Sequence, residues 1–128
     1  MIGKVIKYKF DNDASLSSLF GGRVYPMVGA QGQATPFAIY EVVNVTTSMS
    51  KDSDSHIDEV LVRITMVSTR YADVQNGVAY VRSAFVRMDE TILGVQVQSC
   101  KYDGERDLYS DDERSFGSQV DLTFRVIK

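Results

Sequence analysis

From Ser118 to Ile127, apolar and polar residues alternate without a break: Val120, Leu122, Phe124 and Val126 against Gln119, Asp121, Thr123 and Arg125. A two-residue period over that length predicts a strand with one buried and one polar face. The pattern recurs upstream, where Val60, Val62, Ile64 and Met66 alternate with Leu61, Arg63, Thr65 and Val67. Segment 37–46 (FAIYEVVNVT) is β-branched and aromatic, and apolar on both sides. That predicts a central strand, or one whose second face meets another subunit. Segment 92–102 alternates less cleanly, with Leu93, Val95 and Val97 on one side, and predicts a further strand.

Elsewhere the period becomes helical. Residues 71–88 place Val74, Val78, Val81, Phe85 and Met88 on one face, with Ala84 beside them. Thr69 is the expected cap, and Asp73 and Arg87 complement the dipole at either end. Gly77 inside this helix costs about 1 kcal/mol relative to alanine, so close packing against the sheet is its expected compensation. Residues 2–10 carry Ile2, Val5, Ile6 and Lys9 at helical spacing. Asp13 is positioned to cap a second short helix, Ala14 to Phe20, with an apolar stripe of Leu16, Leu19 and Phe20 ended by Gly21-Gly22. Three stretches read as connections. Residues 26–36 hold both prolines, residues 47–58 are polar and serine-rich, and residues 103–115 are acidic, with a turn expected at Asp103-Gly104 and Tyr109 as the lone aromatic. Long loops of this kind inside a compact domain are usually functional or disordered. The expected fold is one α+β domain over residues 1–128. It has an antiparallel (mixed) sheet of about four main strands packed against one long amphipathic helix, with short N-terminal helices.

Composition adds little to this picture, but charge does. At 44% hydrophobic and 24% charged residues the chain is ordinary for a globular domain. No apolar run approaches the roughly 20 residues of a membrane helix, and lysines scattered through the first ten residues argue against a signal peptide. A single cysteine, Cys100, excludes an intrachain disulfide and is expected to pack as a small residue in or near a sheet. The acids are unevenly spread. Segments 51–59 and 103–113 hold ten of the seventeen, against two of the fourteen bases, so two acidic segments sit on a net basic body.

Asp52, Asp54, His56 and Asp58 fall at alternate positions, and an extended backbone would turn all four the same way. A divalent cation or a small metal-dependent hydrolase could use such a set. The calcium-loop pattern fails, however, because Ile57 stands at the required glycine and Arg63 at the closing glutamate. The alternative is a solvated loop (Ser48, Lys51, Asp52, Asp54, His56, Asp58) that orders against a partner. Gly29-Ala30-Gln31-Gly32 lacks the Lys-Ser/Thr and helix start of a phosphate loop, and no nucleophile elbow is present. No catalytic residue, metal site or cofactor is expected. Nucleic-acid readout is poorly supported in a chain with no tryptophan, no basic run and a pI near 5.1.

Taken in order, several marks resemble the tail-completion, or tail-terminator, proteins of long-tailed bacteriophages and gene transfer agents. They are Ser18-Leu19-Phe20-Gly21-Gly22-Arg23-Val24-Tyr25-Pro26, Thr35-Pro36-Phe37-Ala38-Ile39-Tyr40, a serine-rich loop before the strand of Glu59 to Ser68, the helix with Val78 and Val81, and the closing Val120-Asp121-Leu122-Thr123-Phe124-Arg125-Val126. The resemblance spans nearly the whole chain; the acidic 103–114 segment departs from it. It implies a structural virion protein, assembled in the host cytoplasm, that forms a hexameric ring at the head-proximal end of the tail tube. The ring would stop tube polymerisation and dock the head connector or head-closure protein, while DNA passes through without sequence-specific binding. Leu19, Phe20, Tyr25, Phe37 and Tyr40 are then candidates for the subunit interface, and the 48–58 loop for the tail tube. Asp103, Glu105, Asp107, Asp111, Asp112 and Glu113 would form an acidic loop facing the channel. Another neck subunit, or a monomeric cellular binding module of the same fold, remains an alternative.

Overall fold

A computed structural model describes residues 2–26, 35–47, 57–111 and 114–127. Two helices come first, α1 (Ile2–Asn12) and α2 (Ala14–Phe20). A short strand β1 (Val24–Pro26) precedes the long strands β2 (Phe37–Thr47) and β3 (Ile57–Ser68). Helix α3 (Tyr71–Phe85) follows, then β4 (Glu90–Ile92), β5 (Val95–Ser110) and β6 (Ser115–Ile127). The strands form one sheet in the order β1-β2-β3-β6-β5-β4, antiparallel except for the β1–β2 pair. The mixed sheet is as expected, but six strands replace about four. The extra two are three-residue edge pieces.

The alternation read from residues 60–67 and 118–127 becomes the centre of this sheet. Val60, Val62, Ile64 and Met66 stand opposite Phe124, Leu122, Val120 and Ser118 in register, all buried on the helix-bearing side. Their polar partners, Arg63 and Asp121 among them, are half-exposed on the other side. Such a face-by-face division follows from side chains projecting alternately through the pleat.

All three helices contribute to one core. Helix α1 buries Ile2, Val5, Ile6 and Phe10, so it is a core element equal to α3 and not an accessory. Phe10 packs edge-on against Phe20 at 5.4 Å and against Phe85 at 6.0 Å, and Phe85 meets Phe124 at 6.0 Å, an aromatic line running from helix to sheet. Asp13 caps α2 as expected, its Oδ1 accepting from the N–H groups of Ser15 and Leu16 at 3.1 Å each. Gly21 ends α2 in the left-handed conformation, φ 56°.

The structure corrects the reading of α3. No side chain caps its start, and in place of Thr69 the hydroxyl of Ser68 accepts from the N–H of Arg70 and donates to Asp73. The helix stops at Phe85, where Arg87 turns the chain with φ 67° and gives its N–H to the Cys100 carbonyl at 3.2 Å. Met88 is buried beyond the helix, not on its face. Segment 92–102 is likewise two strands. Leu93 and Gly94, at φ 50° and 82°, make the two-residue turn between β4 and β5, which leaves Leu93 in solvent.

Candidate assembly surfaces

No helix covers the second face of the sheet among the described residues. Its centre is polar and internally paired. Arg63 donates from Nε and Nη2 to both oxygens of Asp121, at 2.9 and 3.3 Å, a bidentate pair between β3 and β6 that holds the guanidinium pKa above its ordinary value. Arg106 donates to the Gln119 amide oxygen, and Thr123 donates to Asp103.

The acidic segment is where the structure departs most from the sequence reading. Asp103, Glu105 and Asp107 do not lie in a loop. They belong to β5, which pairs with β6 as far as Ser110 opposite Ser115. The expected turn at Asp103-Gly104 is a bulge, where the register slips between Tyr102 and Gly104. The slip divides the acids between the faces. Asp103 accepts from Thr123 on the open face, whereas Glu105 and Asp107 turn toward α3. Tyr102 donates to Glu105 at 2.6 Å, and Arg82 lies 4.1 Å over the Tyr102 ring. Desolvation and then the Glu105 hydrogen bond raise the Tyr102 pKa. Tyr71 donates to Asp107 at 2.9 Å, and that bond raises the Tyr71 pKa. Asp111 is exposed in the turn after β5, and Asp112 and Glu113 lie outside the described residues.

The other sequence candidates fall as follows. Ser48, Lys51, Asp52, Asp54 and His56 lie outside the described residues, as does Gly29 to Gly32; Asp58 is in β3 and accepts from Thr47 at 3.0 Å. Among the described residues no three His, Cys, Asp or Glu side chains gather as a metal site. Of the five interface candidates, Phe20 is a core residue, 1% exposed, and has no surface to offer. Leu19, Tyr25, Phe37 and Tyr40 are half-buried; Tyr40 packs on the core beside Gly3, and burial raises its hydroxyl pKa. The Arg-Val-Tyr-Pro segment forms a parallel edge strand, fixed by Arg23 Nε donating to the Pro36 carbonyl at 2.8 Å.

Sequence reasoning offered 37–46 as a strand that meets another subunit but singled out Phe37 and Tyr40, not the bare end of β2. Val42, Val43 and Val45 are exposed by 47%, 43% and 51% where the strand runs beyond its β1 neighbour. The two-sided apolar pattern of 37–46 was the signal for it.

Cys100 packs where expected, buried in β5 opposite Phe124. Desolvation, with the Asp103 charge adding to it, pushes its thiol up to about 12 from 9.0. The folded state therefore keeps the proton that the unfolded chain releases, and stability is expected to fall as pH rises from about 9 toward 12. Thiol-reagent titration of the folded protein at pH 8 should find Cys100 inert, with full reaction in denaturant. Rapid labelling without denaturant would contradict this burial.

The model of the family described as tail completion protein gp17 matches residues 8–127. Among solved structures, a chain from the virion of a native gene transfer agent particle aligns with TM-score 0.75 and 15% identity over 96% of this chain and 92% of that one. At that identity the likeness speaks to the fold. No curated protein sequence matches the chain significantly. With the family match running from within α1 to the last residue of β6, the chain belongs to the tail completion protein gp17 family.

Proposed function

We propose that copies of this tail completion protein close into a six-membered ring at the head-proximal end of the tail tube, where the ring ends tube growth and docks the head connector. The role is structural and not enzymatic, played in the virion neck after assembly in the host cytoplasm. The observation that carries this reading is the open sheet. Among the described residues, β2 beyond Tyr40 and β5 beyond Val97 each lack a strand neighbour on one side. A subunit with two different unsatisfied borders suits a head-to-tail contact, and cyclic closure keeps such a contact from running on into a filament.

In such a ring the DNA crosses the lumen without base readout. The acids from Asp103 to Glu113 are the residues suited to keep phosphates off the wall, those on the exposed strand and turn most of all. The segment holding Ser48, Lys51, Asp52, Asp54 and His56, outside the described residues, is the candidate for gripping the tube end.

Electron microscopy of tails made with and without the gene tests the proposal. Without it, tails should be overlong or uneven and fail to join heads. Tails of uniform length that join heads normally would overturn the reading. Co-assembly of the purified protein with tail tubes, as against connector rings, separates a terminator from another neck subunit.

A further inference from the structure

Eight large apolar residues are exposed in the described chain, and five of them gather at two places: Val42, Val43 and Val45 at one, Tyr71 and Tyr109 at the other. The first place is a socket. Val42 and Val45 stand opposite Val62 and Val60, which puts them on the helix-bearing side of the sheet. Together with buried Val60, Val126 and Ile2, and with Asp58 at the rim, they line a hollow of about 160 Å³. A dry apolar cavity of about that size admits a benzene ring. The second place is a ridge. Phe116 lies between Tyr109, at 5.0 Å, and Tyr71, at 5.3 Å, and both tyrosine rings reach solvent.

Socket and ridge occupy diagonal corners. Val45 pairs with Val60, whereas Tyr109 pairs with Phe116, which itself faces Ser68. The offset is eight residues along β3, about 26 Å, and three strand spacings across, about 14 Å. The corners also differ in how they meet water. The β5 edge carries Lys101, Asp103, Glu105, Arg106 and Asp107 and two bulges, devices that discourage strand pairing. The β2 edge from Val42 to Thr47 has one bulge and no charged residue or proline. Charge is partly complementary as well. Asp58 lies at the rim of the socket; Arg70 and Arg114, exposed and without an ion pair among the described residues, flank the ridge, offset by Asp111.

We infer that the Tyr109 ridge of one copy seats in the Val42–Val45 socket of the next, and that this is the head-to-tail contact between neighbouring subunits. The identity of the partner as a second copy rests on the ring reading. A pocket and a matching apolar patch at different places on one molecule make a heterologous contact, not a two-fold one. Burying both also removes exposed apolar surface at two corners of the sheet from water.

The test uses assembled particles carrying the chain with Val45→Cys and Tyr109→Cys together, treated with a short bis-maleimide. Both positions are more than half exposed, and the buried Cys100 stays out of the reaction. A ladder of covalent multimers is expected from the double variant, and no cross-linked product, not even a dimer, from either single variant. A covalent dimer from Val45→Cys alone would mean a two-fold contact and would overturn the inference. So would coupling to a different virion protein, or no coupling in particles that contain the chain. As an independent reading, Tyr109→Glu should keep its circular dichroism spectrum yet enter particles at least tenfold less; normal incorporation would overturn the contact. Tail length on gene deletion separates the two ideas. If deletion disturbs tails but no ladder forms, the ring stands and the corner contact falls. Normal tails without the gene defeat the ring whatever the cross-linking shows.

Discussion

Truncating Phe124 to alanine is expected to destabilise the fold by about 3–5 kcal/mol, the range for removing a fully buried aromatic side chain and leaving the hole behind. Against a typical total of about 5–15 kcal/mol, that loss would leave much of the protein unfolded at moderate temperature. Phe124 has this weight because of where β6 lies. The residue is wholly buried at mid-sheet, opposite Val60 on one side and Cys100 on the other, and Phe85 of α3 stands edge-on to its ring. The next residue, Thr123, points to the open face, and Thr123→Ala is expected to cost no more than about 1.5 kcal/mol, the worth of an ordinary hydrogen bond. Urea midpoints of the two variants check the contrast. Similar losses from both would refute a core confined to one side of the sheet.

The second large effect is expected at Gly77. A Cβ there would stand 2.9 Å from Met66 Sδ and 3.2 Å from Phe20 Cζ, so any side chain at this position requires those two neighbours to shift. Gly77→Val adds three carbons into that contact, and overpacking should lower stability by about 1–3 kcal/mol. Gly77→Ala is the milder change, because its gain in helix propensity of about 1 kcal/mol offsets part of the clash. If the Met66 contact is the cause, Met66→Val should recover stability in the Gly77→Val background, a non-additivity measurable as a double-mutant cycle. Full additivity would place the cost elsewhere, in backbone entropy or strain.

The residues of this interior also explain which elements could be foreseen. The strands β3 and β6 were legible because each is buried on one face only, and a one-sided strand writes its environment into alternate residues. The cap at Asp13 and the stop at Gly21 were legible because capping is a contact between residues two to four apart. Helix α1 was undervalued. Its Phe10 sits at the end of the 2–10 stretch, and only contact with Phe20 and Phe85 turns that stretch into a core layer.

The acidic part of β5 was hidden by its composition. Asp103, Glu105, Arg106 and Asp107 look like a loop, yet the segment is a strand because β6 supplies a complete row of backbone partners. An edge strand tolerates such charges, since one side of it remains in water, and bulges leave no clean period to detect. The same holds for the site. The apolar 37–46 segment announced an unusual strand, but its sequence gave no sign of which residues the core would cover and which it would leave bare. Ala38 is buried while Val42, Val43 and Val45 are not, because the helices and β1 reach the first half of β2 and stop short of the second.

What the chain's own order of residues determined is local: the periods of β3, β6 and α3, the ends of α2, the small buried cysteine, and the marks shared with the tail completion family. What only the tertiary structure decided is adjacency. It set β6 between β3 and β5, divided the acids between two faces, placed Phe20 inside, and left one apolar corner and one aromatic corner at opposite ends of the sheet. Periodicity records whether a side chain meets water or protein, and so survives in the sequence. Which protein it meets depends on pairings between distant segments, and those are fixed only when strands close on one another and compete for the same core.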